Sequence, residues 1–212
     1  NLFRVLLITK APSHKLEPPE NPGRFSSYRS DRQGIRLARY LVRALQKRGA
    51  AAELIDAKEI GLPMLDRMYK EYPEGEAPSN LHQLAGKIRA ADGFLFVSGE
   101  YNWGMQPGLK NLTDHFLEEW YWRPAAIASY SAGRFAGARA ATAWHGTLSE
   151  MGMVVISSAL AVGQIGHALD ADSNPVGDGG AALERAFPRF ADDLVWWIEA
   201  ARNQRAKTPP PY

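Results

Sequence analysis

The chain of 212 residues is 45% hydrophobic and 23% charged, a balance that suits one domain with a sizeable core. Its formal charge of +2 is too small for the concentrated basic face that nucleic-acid or membrane binding needs, so neither partner is expected. The absence of cysteine excludes disulfides, thiolate metal sites, iron–sulfur clusters and a cysteine nucleophile, and with nothing pointing to an oxidising compartment a cytoplasmic location is expected.

Strand and helix signals alternate along the chain. Phe3 to Thr9 is a short apolar run of the buried-strand type, with too little basic character before it for a signal peptide. No apolar run nears the roughly 20 residues that span a bilayer. Lys10 to Ser30 carries Pro12, Pro18, Pro19 and Pro22 and reads as a loop. Gln33 to Arg48 is a helix with Ile35, Leu37, Ala38, Leu41, Val42 and Leu45 on its apolar stripe and Gly49 as its stop. Ala51 to Ile55 is a weaker strand, and a Pro-containing connection leads to a helix from Ser79 to Arg89. Gly93 to Ser98 is the clearest strand. A turn-rich stretch from Gly99 to Gly108 precedes a helix over about Leu109 to Glu119. Ala125 to Tyr130 is a strand, a helix follows Gly137 to about Met151, and Met153 to Val162 holds the last strand. Residues 163–180 read as a loop, Ala181 to Ala201 as the final helix, and 203–212 as a flexible tail.

Five strands alternating with helices imply a doubly wound α/β fold, a parallel sheet covered on both faces, in a single domain over 1–212 without repeat or linker. Sites of such sheets lie beyond the carboxyl ends of the strands, where strand order reverses. Three loops are therefore candidates.

The first is Ser26-Ser27-Tyr28-Arg29-Ser30-Asp31-Arg32-Gln33-Gly34. Hydroxyls, guanidinium groups and free backbone amides at a helix start suit a phosphate, although a solvated, capped helix start fits the spacing equally well. No P-loop and no dinucleotide fingerprint exists in the chain. The second runs from Glu100 through Tyr101, Asn102, Trp103, Gly104 and Met105 to Gln106-Pro107-Gly108-Leu109-Lys110-Asn111. Gly and Pro hold such a loop close and rigid, and Tyr101, Trp103 and Met105 offer apolar contact to a flat ring. Read from the residues alone, core or dimer aromatics account for them better. The third is Ser129-Tyr130-Ser131-Ala132-Gly133, leading to Gly137 and Arg139. Small residues there bring backbone amides close to a ligand. It also looks like the nucleophile elbow of α/β-hydrolases with Ser131 as nucleophile, but no histidine follows Asp170, so the required Ser–Asp–His order fails.

Together these segments resemble the NAD(P)H-dependent FMN reductase family, from about Ser26 to Arg202. Ser27, Arg29, Arg32 and Gly34 match its phosphate loop G-S-x-R-x-x-R-x-G, with Ser26 in place of Gly. Glu100, Tyr101, Asn102, Pro107 and Gly108 match P-E-Y-N-x-x-x-P-G, with Gly99 in place of Pro and four residues, 103–106, where the pattern has three. Residues 129–140 match S-Y-S-A-G-x-x-G-G-x-R-A, with Ala136 in place of Gly. The resemblance implies a flavodoxin-like sheet of strand order 2-1-3-4-5. It implies bound FMN, with its phosphate at Ser27, Arg29, Arg32, Gln33 and Gly34. The ring would sit between Glu100, Tyr101, Asn102, Trp103, Gly104 and Met105 on one side and Tyr130, Ser131, Ala132 and Gly133 on the other. NAD(P)H is the implied co-substrate, a flavin, quinone or azo compound the small-molecule electron acceptor, and a homodimer or homotetramer the assembly. Lys10 to Phe25 is an apparent insertion relative to the family. A specialised biosynthetic flavoenzyme and an FMN electron carrier are the alternatives, the carrier disfavoured by the +2 charge.

Outside these loops, His82, His115 and His145 are isolated and fit surface or packed positions. Adjacent Glu118 and Glu119 point apart on a helix. Trp120-Tyr121-Trp122 and Trp196-Trp197 read as core, or alternatively as a subunit interface.

Overall fold

The computed structural model describes residues 3–9 and 32–212. Its strands are β1 (Arg4–Thr9), β2 (Ala51–Asp56), β3 (Gly93–Tyr101), β4 (Gly104–Met105), β5 (Pro124–Tyr130) and β6 (Val154–Val162). Its helices are α1 (Gly34–Lys47), α2 (Ala57–Ile60), α3 (Ser79–Ala90), α4 (Pro107–Asp114), α5 (Ala138–Glu150), α6 (Ile165–Ala168) and α7 (Gly177–Lys207). Five strands run parallel in the order β2-β1-β3-β5-β6. Once β4 is set aside, that is the flavodoxin-like order expected from the sequence.

The alternation of side chains along each strand builds two cores. On one face Val5, Leu7, Leu95, Val97, Ala126 and Ala128 pack against Leu37 and Leu41 of α1 and Phe190 and Leu194 of α7. On the other, Ile8, Phe94, Phe96 and Ile127 pack against Leu84 of α3, Leu109 of α4 and Trp144 and Leu148 of α5. Trp120 is fully buried there, edge-on to Phe94 with ring centroids 4.8 Å apart, the core role expected of it. The apolar runs of β1, β3 and β5 are thus buried on both sides, as parallel strands require.

Several details differ from the sequence expectation: the helix read over Leu109 to Glu119 is α4, Pro107–Asp114, and the stretch 163–180, read as a loop, holds α6 and the start of α7. Residues 101–104 close a hairpin, so β4 pairs antiparallel with β3 through Glu100–Met105 and Tyr101–Gly104. The final helix begins at Gly177 and ends at Lys207, so 203–207 of the expected tail are helical. Beyond them the Tyr212 carbonyl accepts from Trp122 Nε1 at 3.0 Å, and the two rings lie 4.9 Å apart. The apparent insertion, Lys10 to Phe25, lies outside the described residues.

At the amino end of the sheet Arg123 fixes the entry to β5. Its guanidinium donates to the carbonyls of Ala91, Glu119, Tyr121 and Arg89 at 2.7–3.1 Å. Burial draws its pKa down to about 10, still a cation at neutral pH. Arg205 of α7 reaches the Trp122 carbonyl at 2.8 Å and Asp92 at 3.6 Å.

Candidate functional site

Strand order reverses between β1 and β3, and the cleft lies there at the carboxyl ends, where Gly99 and Tyr130 form the last pair of β3 with β5. Its volume is 310 Å³. Arg32 and Gln33 border it from the start of α1, Gly99, Glu100 and Tyr101 from β3, and Tyr130, Ser131 and Ala132 from β5. Gln106 and Ile165 complete the lining. Seven of the residues proposed from sequence are therefore brought together: Arg32, Gln33, Glu100, Tyr101, Tyr130, Ser131 and Ala132.

The others take different places. Gly34 lies under the Tyr130 ring, and a Cβ at position 34 would fall on the Tyr130 hydroxyl. Gly133 offers its carbonyl to Ser131 Oγ at 2.7 Å and to the Gln164 amide at 2.9 Å. Asn102 and Trp103 form the tip of the β3–β4 hairpin, and Gly104 and Met105 are β4 itself. Met105 turns toward α5, where its sulfur accepts from Thr147 Oγ1 at 3.8 Å. Ser27 and Arg29 lie outside the described residues.

Tyr130 organises the floor of the cleft. Its ring occupies a slot between Gly34 and Gly99, since a Cβ on Gly99 would come within 2.9 Å of the ring. Gln106 Nε2 donates to the phenol oxygen at 2.9 Å. Burial pushes the phenol pKa up to about 12, partly offset by that hydrogen bond, so it is neutral at physiological pH. Gln106 is 4% exposed, and its Oε1 has no partner among the described residues. The sequence offered no signal for Gln106, because a lone Gln before Pro carries no pattern. Nor did it show that Gly99 is the space Tyr130 needs.

Arg32 forks onto Asp56 at the end of β2, at 3.2 and 3.3 Å, with both side chains almost wholly buried. Burial lowers the Arg32 pKa, and Asp56 opposes the shift. Arg32 Nε remains without a partner among the described residues. The Gln33 side chain rests against Gly166 of α6, where a Cβ would come within 2.9 Å of it. Glu100 ties the far rim together: its carboxylate accepts from Arg139 Nη1 at 2.7 Å and from the Arg139 amide, in the first turn of α5, at 3.1 Å. The hydrogen bond from the Arg139 guanidinium holds the Glu100 carboxyl below the usual range.

These groups define what the cleft can do. Glu100 is held ionised and Tyr130 neutral, and no histidine borders the cavity among the described residues. Ser131 Oγ donates to the Gly133 carbonyl of its own loop and has no histidine among its hydrogen-bond partners in the described residues, which leaves the hydrolase-like reading without a base. A cleft without an acid–base couple near neutral pH among the described residues, floored by Tyr130 and holding buried polar atoms without partners among those residues, suits a bound group that brings its own reactivity.

The fold and site define a flavodoxin-like α/β protein built around a cofactor cleft. The NADPH-dependent FMN reductase family matches residues 25–167, and the chain belongs to it. It is 39% identical over 98 residues to an NAD(P)H-dependent FMN reductase of Pseudomonas aeruginosa, covering 43% of this chain and 49% of that protein. The corresponding enzyme of Saccharomyces cerevisiae is 30% identical over 84 residues, 37% of this chain and 44% of that protein. These alignments span about half of the relatives' length or less. Among solved structures, the flavoenzyme NAD(P)H:(acceptor) oxidoreductase FerB of Paracoccus denitrificans superposes with a TM-score of 0.69 at 22% identity, covering 94% of this chain and 99% of that one. A flavodoxin of Pseudomonas aeruginosa superposes with a TM-score of 0.53 at 15% identity, covering 92% and 99%. Both show the fold.

Proposed function

We propose that the chain is a single flavin-binding domain that binds FMN in this cleft, takes reducing equivalents from NAD(P)H and delivers them to a flavin, quinone or azo acceptor. Family membership supports this reading, and so do the relatives named for FMN reduction. The observation that carries it is the convergence of α1, β3 and β5 on one cleft where Gln106 Oε1 and Arg32 Nε stand buried without partners among the described residues. Buried polar atoms of this kind call for a polar ligand. We assign the FMN phosphate to Arg32 and Gln33 together with Ser27 and Arg29 of the sequence motif. The ring is assigned to the space between Glu100 and Tyr101 on one side and Tyr130, Ser131 and Ala132 on the other.

When bound, FMN supplies the hydride and electron transfer. The protein orients it and shapes its surroundings. Tyr130, neutral through the physiological range, keeps a hydrogen-bonding floor that neither gains nor loses charge. Glu100 and Arg139 neutralise each other at the rim. We further place the enzyme in the cytoplasm as a homodimer or homotetramer, a placement that rests on the cysteine-free composition and the family resemblance.

The test is the visible spectrum of protein purified with FMN, followed by steady-state NAD(P)H oxidation with a quinone. Flavin bands that are released on denaturation and identified as FMN, with turnover, are expected. Replacing Arg29 by Ala should weaken FMN retention at least about tenfold. No flavin in the presence of excess FMN overturns the reading, and flavin without turnover makes the chain an electron carrier.

A further inference from the structure

The hairpin tip beside the cleft is built against local preference. Tyr101–Gly104 and Glu100–Met105 pair around a two-residue turn in which Asn102 has φ 46° and Trp103 φ 74°. Such turns take Asn readily at the first central position and favour Gly at the second. A tryptophan there is a backbone outlier, and core packing does not explain it, because Trp103 is 72% exposed. A second strained turn faces it. Ala136 and Gly137 have φ 54° and 76°, and they follow Phe135, which is 60% exposed.

Between the two turns stands Arg139. Its guanidinium carbon lies 3.8 Å from the Trp103 ring centre and 4.8 Å from that of Phe135. Glu100, which lines the cleft, holds Arg139 in place from behind. Arg134 lies 5.7 Å from the Phe135 ring and has no carboxylate partner among the described residues. Glu100 offsets Arg139, so the charge of Arg134 is left over. Two exposed rings, an aligned guanidinium and an unbalanced cation match a flat aromatic ligand bearing a negative charge.

We propose that Trp103, Phe135, Arg139 and Arg134 form a landing site for the planar, anionic part of the second substrate at the mouth of the cleft. The proposal rests on the flavin reading above. Two substrates share this chemistry: an acidic quinone or azo acceptor, and the adenosine phosphate portion of NAD(P)H.

The experiment measures binding to the oxidised, FMN-loaded protein by equilibrium dialysis, without turnover. The probes are 1,2-naphthoquinone-4-sulfonate, adenosine 2′,5′-bisphosphate and the neutral quinone menadione, tested against Trp103→Gly and Arg134→Ala. Trp103→Gly gives the turn the residue its backbone favours, so this variant melts no lower than the parent while its affinity for an anionic aromatic probe drops at least about tenfold. Arg134→Ala weakens the anionic probe by about threefold or more and leaves menadione unchanged. Whichever anionic probe responds identifies the source. Unchanged affinity for both anionic probes in Trp103→Gly overturns the inference. So does a change of sedimentation in that variant without a change of affinity, which marks the rings as a contact between copies of the chain. A parent protein that takes up no FMN overturns the flavin reading, and this inference with it.

Discussion

At the amino end of the sheet, Arg123 donates to four carbonyls, Arg205 closes onto Trp122 and Asp92, and Trp122 reaches the Tyr212 carbonyl. At the carboxyl end, Gln106 Oε1 and Arg32 Nε are buried without partners among the described residues, and Asn102, Trp103, Ala136 and Gln164 adopt positive φ. The two ends share the same strands, so the difference does not come from the sheet. It comes from the loops: those at one end satisfy their own polar groups, and those at the other leave buried polar atoms without partners among the described residues. Stability and function are thus separated by the length of a strand.

That separation can be broken by substitution. The largest effect is expected from Arg123→Ala, which strands four carbonyls and should destabilise the fold by about 3–5 kcal/mol in chemical denaturation. The folded fraction should still bind FMN with parental affinity, and a proportional loss of FMN binding would show that the two ends are coupled. Gly34→Ala should cost about 1–3 kcal/mol, because the new methyl group displaces the Tyr130 ring. Unlike Arg123→Ala it should also abolish FMN retention, measured by gel filtration with detection at flavin wavelengths.

The smallest effect is expected from Tyr130→Phe, about 1 kcal/mol at neutral pH from the lost Gln106 hydrogen bond. Its signature is in the pH profile. The folded phenol titrates near 12 against about 10 when unfolded, so its stabilisation is present below pH 10 and is lost as pH rises toward 12. Tyr130→Phe should remove that part of the alkaline loss. An identical alkaline profile in the variant would mean that the phenol is not shielded as described.

The sheet was legible in the sequence because its evidence is local. The apolar runs at 5–8, 93–98 and 125–129 are buried on both faces, and a run of that kind reads the same wherever its neighbours lie. What escaped was set by partners distant in the chain. β4 was missed because Trp103 stands where a hairpin signal would show Gly. Arg32 carries a phosphate-loop signal in sequence, but only the structure shows its fork resting on Asp56 of β2. Tyr130 reads as one more residue at the edge of the ring, and only the structure shows it seated between Gly34 and Gly99. The same distance effect shifts the end of the last helix, since Arg205 is anchored by residues at 92 and 122.

The seating of Tyr130 also constrains how this chain can change over time. A side chain added at position 34 or 99 intrudes on the Tyr130 ring as it is seated here, so the ring must shift to admit one. A mutational path that begins at either glycine meets a barrier, whereas one that first shortens residue 130 frees both. The order of events, and not only the set of residues reached, therefore decides which descendants of this cleft are accessible.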